Sequence, residues 1–168
     1  MPKKQTARSA PAVLFVNGPN LATLGFREPE VYGDTPLSAI VAEARSLAED
    51  HGVRLLDVQS NHEGILIDFL NEHFLESRKE PARAQVRGVV INPGGLTHTS
   101  VALRDALAMY DREGVPIAEV HLSNIYRREA FRRESLVSPV ATVVVSGLGA
   151  QGYRLAMEWL LKGLKKAT

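Results

Sequence analysis

The segment GFREPEVYG, residues 25–33, carries two side chains that a loop does not need for folding. A glycine at each end and Pro29 between them are typical of a loop that changes conformation. Arg27 supplies a permanent positive charge, and Tyr32 supplies a phenol that can exchange a proton. This pairing of a cation with a titratable hydroxyl predicts a catalytic role in proton transfer for the loop.

Polar side chains also follow the predicted strands, at the edge where open parallel sheets bind ligands. They are amides, hydroxyls and imidazoles, and His98 and His121 are the two of five histidines that fall at strand ends. Such groups suit acid–base chemistry on a small carboxylate, as proton abstraction beside a carbonyl, isomerisation or elimination. The strand-end segments are residues 17–20, 59–61, 92–98, 121–124 and 146–149.

An arginine-rich stretch, YRREAFRRE, follows the fourth predicted strand at residues 126–134. Interleaved glutamates favour a solvated surface for some of these arginines. Arg128 and Arg132 are four residues apart and would share one face of a predicted helix. Ser123 or Asn124 could cap that helix, so that its N-terminus would favour a carboxylate or phosphate ligand.

His98 and Asp105 are seven residues apart, which is about two helical turns, and so lie roughly in line. Asp105 also follows Arg104, and adjacent opposite charges commonly form a surface ion pair. The spacing alone leaves a role in the site and a surface ion pair as equal alternatives for Asp105.

Other chemistries are disfavoured. The motif GLGAQG, residues 147–152, has the spacing of a dinucleotide-binding loop. Only 16 residues follow it, which is too few for the next strand and the acidic residue that would bind the ribose. We therefore expect a structural turn. Leu66 stands where the zinc motif beginning at His62 would need a second histidine. There is no cysteine, and none of the six lysines lies at a strand end. We therefore expect no metal, no dinucleotide and no Schiff base.

The composition is that of one soluble globular domain, with 168 residues, 45% hydrophobic content and a net charge of +1. This charge gives no bias toward nucleic acid or a membrane surface, and no apolar run approaches the ~20 residues of a membrane helix. The basic segment MPKKQTARSAP predicts a flexible tail over residues 1–11, with the start of a transit peptide as the alternative. One catalytic domain is expected over residues 12–168, in the cytoplasm.

Short apolar runs alternate with amphipathic stretches along the chain. Near-continuous apolarity at residues 12–17, 53–58, 88–92, 117–122 and 140–146 predicts strands that are covered on both faces. Thr35 is expected to cap the first helix, and capping-box spacing at Ser60 and Glu63 predicts the start of the second. Two more helices are expected over residues 100–113 and 152–164. The alternation predicts an α/β fold, an open five-stranded parallel sheet with helices on both faces.

Several strings in fixed order carry a more specific resemblance. They are NGPNL (17–21), REPEVYG (27–33), QSNHEG (59–64), NPGGLTHTSVALRDAL (92–107), EVHLSN (119–124) and SPVATVVVSGLGAQGYRLA (138–156). Over about residues 12–165 the sequence resembles the type II 3-dehydroquinate dehydratases. The resemblance implies a flavodoxin-like fold and cofactor-free dehydration of 3-dehydroquinate to 3-dehydroshikimate, in the shikimate pathway or in quinate breakdown. The rival hypothesis is a non-catalytic flavodoxin-like module that binds a small anion, which has no reason to keep both Tyr32 and His121.

The resemblance also implies a role for each matching residue. Tyr32 matches the base that removes the proton alpha to the ketone, and His121 matches the acid that protonates the departing hydroxyl. Arg27 matches the arginine that stabilises the charged transition state, and Asn20 the asparagine that helps to hold the enolate through water. Arg128 matches an arginine near the site with a less defined role. The implied substrate-binding residues are Asn92, His98, Asp105, Leu122, Ser123 and Arg132. Trimers that pack into a dodecamer are implied as well, with Asp105 working at a neighbouring subunit's site.

Overall fold

The computed structural model of the chain describes residues 10–26, 33–79 and 85–165. Arg27, Tyr32 and most of the predicted tail lie outside these ranges. The predicted five-stranded parallel sheet is confirmed, with the strand order β2-β1-β3-β4-β5 of flavodoxin-like folds. The strands are β1 (Ala12–Asn17), β2 (Arg54–Gln59), β3 (Val86–Asn92), β4 (Ile117–His121) and β5 (Val143–Ser146).

Four α-helices cover the sheet in the described ranges: α1 (Leu37–Asp50), α2 (Glu63–Ser77), α3 (Val101–Arg112) and α4 (Gln151–Lys165). Helices α1 and α4 pack together on one face, and α2 and α3 pack together on the other. Among the described residues, no helix combines the length and the hydropathy that crossing a bilayer requires.

Strand β1, which lies between β2 and β3, is buried on both faces. Its alternate residues enter two separate cores: Val13 and Phe15 face the α1/α4 layer, whereas Leu14 and Val16 face the α2/α3 layer. All four side chains are fully buried. This double burial explains the continuous apolar run in the sequence, which a half-exposed strand would have broken with polar residues.

Two predicted helix starts are wrong in detail. Helix α1 begins after Pro36 with no side-chain cap, so Thr35 does not cap it. The capping box predicted at Ser60 and Glu63 does not form, because the Ser60 hydroxyl accepts the His62 amide while Glu63 accepts a hydrogen bond from the Ser100 hydroxyl. Ser100 caps α3 by accepting the amide of Leu103 at 2.8 Å.

The connection between β4 and β5 also differs from the prediction. Residues 126–134 do not form one helix; two short 3₁₀ turns, Ile125–Arg127 and Ala130–Arg132, are separated by extended backbone at Arg128 and Glu129. The segment has no apolar stripe at helical spacing that could bury one side of a longer helix. Arg128 and Arg132 therefore do not share a helix face, and no long helix N-terminus is present here to bind an anion.

The loops after β1 and β3 pack directly against each other at the carboxyl edge of the sheet. The amide of Gly18 donates to the Asn92 carbonyl at 2.8 Å, and a Cβ atom at Gly18 would lie 2.3 Å from the Pro93 carbonyl oxygen. Any side chain at position 18 would separate the two loops. This contact brings the polar residues that follow β1 and β3 to one place.

Candidate active site

A cavity of about 250 Å³ opens where β1, β3 and β4 end. It gathers residues from three separate segments of the chain, 19–24, 92–99 and 121–132, as expected at the carboxyl edge of an open parallel sheet. Asp105 does not line it, and Arg27 and Tyr32 lie outside the described residues. The predicted site residues that line the cavity are Asn20, Asn92, His98, His121, Leu122, Ser123 and Arg132, and Arg128 joins them.

His121 is held against a buried carboxylate at the end of β4. Its Nε2 atom lies 2.7 Å from Oε1 of Glu119, two residues earlier in the strand and on the same face. Glu119 is completely buried, and His121 is nearly so. Because Nε2 is engaged by Glu119, Nδ1 is the ring nitrogen left to exchange a proton with a molecule in the cavity.

The charge on Glu119 is stabilised by its surroundings. Burial raises the pKa of this carboxyl, but the hydrogen bond and the charge of His121, together with hydrogen bonds from Ser138 and Thr97, outweigh burial and hold the pKa below its usual value. The ionised carboxylate accepts a hydrogen bond from the imidazole and so holds the ring in one orientation at the cavity.

The main chain at the end of β4 is fixed by the glycine-rich turn after β5. The amides of Gly147 and Gly149 donate to the carbonyls of His121 and Leu122 at 3.0 and 2.9 Å. Both glycines have positive φ angles, 87° and 57°, which residues with a side chain rarely adopt. The motif GLGAQG thus serves as a structural turn, as predicted, and it holds the segment that carries His121.

Positive charge enters the cavity from the β4–β5 connection. The Arg128 guanidinium donates to the Ser123 hydroxyl, and both residues line the cavity. Arg132 lies 5.3 Å from the ring centroid of Phe131 and 3.6 Å from a carboxylate oxygen of Glu129. Two guanidiniums beside a hydroxyl form a corner suited to a carboxylate or phosphate group.

Asn20 is held by its backbone at the opposite side of the cavity. It has a φ of 68°, in the left-handed region that asparagine tolerates better than most residues. Its amide donates to the Asn61 side-chain oxygen at 2.9 Å. Gln59 approaches the same oxygen at 3.4 Å and also donates to the Gly18 carbonyl at 3.3 Å. The loop after β2 therefore fixes the loop that presents Asn20.

Asn92 is supported from below by a buried tyrosine of α4. The Tyr153 hydroxyl donates to the side-chain oxygen of Asn17 at 2.7 Å. The same phenol oxygen accepts a hydrogen bond from the Asn92 side chain. Burial raises the pKa of Tyr153 well above the ordinary phenol value. Asn92 in turn accepts the Gly94 amide at 3.1 Å. Among the described residues, Nδ2 of Asn17 is the one buried side-chain nitrogen or oxygen without a hydrogen-bond partner.

His98 and Asp105 are separated by the structure. His98 ends a 3₁₀ turn, Gly94–His98, and its Nδ1 atom lies 2.6 Å from the Glu134 carbonyl, to which it donates. Asp105 lies on α3 with a side chain that is 64% exposed, and it forms an ion pair with Arg104 at 3.0 Å. Within one chain, the surface ion pair is the alternative that the structure shows.

Sequence reasoning missed the residues behind the cavity. Glu119 and Thr97, which are buried, form a polar cluster with the half-buried Ser135 and Ser138, and Tyr153 supports Asn92. Glu119 had a visible signal, because it is the one charged residue in the apolar run IAEVHL and lies two residues before His121. The hydroxyls gave no such signal, since serine and threonine in a loop are usually exposed.

The described groups around the cavity suit an organic anion that bears hydroxyl groups. They are amides, hydroxyls, imidazoles and guanidiniums, which together recognise carboxylate and hydroxyl oxygens. In residues 10–26, 33–79 and 85–165, no group of three or more His, Asp or Glu side chains gathers as metal ligands do.

The sequence profile of the family described as dehydroquinase class II matches residues 11–161. The chain belongs to this family. A 3-dehydroquinate dehydratase of Roseiflexus castenholzii is 54% identical over 149 residues, which are 89% of this chain and 87% of that protein. A catabolic 3-dehydroquinase of Phaeosphaeria nodorum is 47% identical over 156 residues, 93% and 95% of the two chains.

Solved structures give the same result for this class II dehydroquinase. The type II dehydroquinase of Butyrivibrio crossotus superposes with a TM-score of 0.80 at 37% identity, over 90% of this chain and 98% of that one. The resemblance found in the sequence motifs is thereby confirmed, as is the predicted fold. The roles of individual site residues remain predictions.

Proposed function

We propose that this chain is a hydro-lyase that removes water from 3-dehydroquinate and releases 3-dehydroshikimate. The observation that carries the proposal is His121, which lines the cavity with a buried carboxylate behind it, in a chain of the class II dehydroquinase family. An acid held in this way suits an elimination in which a hydroxyl leaves as water.

The proposed reaction has two steps. Tyr32, as its phenolate, takes the proton alpha to the ketone, and the electron pair of that C–H bond forms an enolate. Arg27 and Asn20 stabilise the negative charge, Asn20 through a water molecule. The enolate then re-forms the ketone, the carbon–oxygen bond of the beta hydroxyl breaks, and Nδ1 of His121 donates the proton that turns the leaving group into water. The product is a conjugated enone.

We propose that the other predicted residues bind the substrate. Ser123 and the neighbouring backbone at Leu122 would take the carboxylate, with Arg132 supplying positive charge. Asn92 and His98 would bind the hydroxyl groups of the ring. These assignments are supported by the position of all five residues around one cavity.

The decisive experiment is an assay of the ultraviolet absorbance of the enone product, comparing the wild-type protein with Tyr32→Phe. The substitution removes the proton acceptor and keeps the ring, so we expect kcat to fall by roughly 10²–10⁴-fold with little change in KM. Tyr126→Phe is the matched control, because Tyr126 is 58% exposed and does not line the cavity. Wild-type protein without activity would exclude the proposal and favour the anion-binding module.

No metal ion and no lysine adduct takes part in the proposed steps. The sequence supports this proposal, since its lysines all lie away from the strand ends. We expect full activity in EDTA and no inactivation by borohydride in the presence of substrate. Loss of activity in EDTA that a divalent ion restores would contradict the mechanism.

We further propose that the protein assembles as trimers that pack into a dodecamer, with Asp105 completing a neighbouring subunit's site. The exposure of Asp105, away from its own chain's cavity, supports such a role. Tyr32→Phe and Asp105→Asn subunits should each be weakly active alone. Hybrids refolded from an equal mixture should recover activity at about a quarter of their sites, because random pairing restores both residues there. Hybrids without recovery, or a fully active monomer in light scattering, would refute the arrangement.

The expected setting is the cytoplasm and the shikimate route to aromatic amino acids, with residues 12–168 as the catalytic unit and residues 1–11 as a flexible tail. The chain should restore growth without aromatic amino acids to cells that lack their own 3-dehydroquinate dehydratase. Removal of residues 2–10 should leave kcat and KM unchanged. Failure to restore growth by an enzyme that is active in vitro would favour quinate breakdown instead.

A further inference from the structure

The carboxylate of Glu119 receives more hydrogen bonds than are needed to pair it with His121. Oε1 accepts from Thr97 at 2.6 Å and from Ser135 at 2.8 Å, in addition to its contact with His121. Oε2 accepts from the Ser138 hydroxyl at 2.5 Å. Glu119 and Thr97 are both completely buried. An ionised carboxylate accepts hydrogen bonds and donates none, so a hydroxyl bonded to it is the donor. The Thr97 and Ser135 oxygens also lie 2.7 Å apart, so these two hydroxyls form one hydrogen-bonded group around Oε1.

The three hydroxyls come from the two segments that carry His98 and Arg132. Thr97 precedes His98 in the 3₁₀ turn after β3, and its carbonyl accepts the Leu136 amide at 2.7 Å. Ser135 and Ser138 follow Arg132 along the β4–β5 connection. These contacts fasten both segments to a side chain that has no access to the cavity, since Glu119 is buried and does not line it.

The hydroxyls determine the orientation of the carboxylate. The terminal torsion of a glutamate side chain is broad, so contacts rather than covalent geometry fix the plane of its oxygens. Among the described residues, Ser138 is the only side chain that donates to Oε2, and it thereby keeps Oε1 directed at His121. Without it, Oε2 would lose this donor, and the plane of the carboxylate would be held only by the contacts of Oε1.

We propose that Thr97, Ser135 and Ser138 are positioning residues for the acid: they orient Glu119 so that it holds His121 with Nδ1 toward the cavity. The inference rests on the proposed function and adds to it a layer of residues that never touch the substrate. It also makes the segment that carries Arg132 part of the support of the acid.

A purely structural role makes a different kinetic prediction. If the hydroxyls only fastened the Arg132 segment, their loss would weaken substrate binding and raise KM. If they act through Glu119 on His121, their loss lowers kcat, because the acid is needed in the step that follows binding. The two roles are therefore separated by the division of the effect between KM and kcat.

The experiment compares Ser138→Ala with Ser138→Thr, which keeps the hydroxyl, in the enone assay. We expect Ser138→Ala to lower kcat about ten-fold, the order expected for one lost hydrogen bond to a charged group, with KM changed by less than about two-fold. Ser138→Thr should recover most of kcat. Thr97→Val, which keeps the shape of the side chain, should repeat the effect of Ser138→Ala.

Ser77→Ala is the matched control. Its hydroxyl accepts the amide of Val86 at 2.9 Å, at the opposite edge of the sheet, so both kinetic constants should stay at wild-type values. Folding of each variant is checked by circular dichroism. Folded Ser138→Ala with wild-type kcat, or with a raised KM alone, overturns the proposal. Failure of both Ser138→Ala and Thr97→Val to fold would place the hydroxyls in folding and overturn it as well. An inactive wild-type protein would instead refute the proposed function.

Discussion

The two sides of the cavity are built in opposite ways. On one side, the acid cluster (Glu119, His121, Thr97, Ser135 and Ser138) is packed around a carboxylate with no solvent exposure. On the other side, in the Asn20 corner (Asn20, Asn61 and Gln59), Asn20 and Asn61 are exposed, and the Asn61 side-chain oxygen accepts the Asn20 backbone amide.

This difference predicts that substitutions on the two sides affect stability and activity differently. A buried charge that loses its partners destabilises the folded state, so changes in the acid cluster should lower both stability and activity. Hydrogen bonds at the surface contribute little to stability because water replaces them. Changes in the Asn20 corner should therefore lower activity alone.

The largest expected effect is that of His121→Gln. The substitution keeps a hydrogen-bond donor for Glu119 but removes the proton that the imidazole delivers. We expect kcat to fall by roughly 10²–10⁴-fold while KM stays close to the wild-type value. Steady-state kinetics of the folded variant measures both constants. Retention of more than about a tenth of kcat would show that another residue protonates the leaving group.

Arg27→Ala tests whether Arg27 favours the phenolate form of Tyr32, the proposed base. A free phenol has a pKa of about 10, so a nearby cation is needed to favour the phenolate near neutral pH. We expect a lower kcat and an acid limb of the kcat–pH profile displaced to higher pH. Arg27→Lys should restore only part of the rate, because an ammonium lacks the planar guanidinium fork. A lower kcat with an unmoved limb would mean that Arg27 acts on the enolate.

Asn61→Ala and Glu119→Gln compare the two sides directly. Asn61→Ala releases the Asn20 amide, and we expect about a ten-fold lower kcat with a free energy of unfolding changed by less than about 0.5 kcal/mol. Glu119→Gln should cost about 1.5–3 kcal/mol, the range for hydrogen bonds to a charged group. Urea unfolding measures both. Equal losses of stability in the two variants would remove the distinction between the sides.

The smallest expected effect is on the free energy of unfolding at low pH. The pKa of Glu119 is lowered in the folded protein, so the stability that its ionisation contributes is fully present above the ordinary value of 4.5. That contribution is lost as the pH falls through the lower, folded-state pKa, because the unfolded chain binds the proton first. Between pH 5 and pH 3 the wild type should lose more unfolding free energy than Glu119→Gln. Parallel curves for the two proteins would contradict this.

Sequence patterns predicted the sheet because its inner strands β1, β3 and β4 are buried on both faces, which leaves long apolar runs such as residues 12–17. The edge strands β2 and β5 are partly exposed, so the predicted cover on both faces was wrong for them. They also predicted most of the cavity lining, since parallel strands end at one edge and their next residues must meet there. They did not predict the acid cluster, because Thr97, Ser135 and Glu119 come from three segments that are joined only by folding. The predicted helix over residues 126–134 was wrong because the prediction rested on the spacing of charged residues, and a stable helix also needs an apolar face to bury.

The hydrogen bond between Tyr153 and Asn17 joins residues that are 136 positions apart. Together with the contact of the Tyr153 ring with Phe15, 5.3 Å between centroids, it attaches α4 to β1. During synthesis, β1 emerges long before the helix that covers one of its faces. A nascent chain without residues 151–165 would expose the apolar α1/α4 face of its sheet, where such surfaces invite aggregation or chaperone binding. We therefore expect the side of the cavity that Tyr153 supports to form only after residues 151–165 have been synthesised.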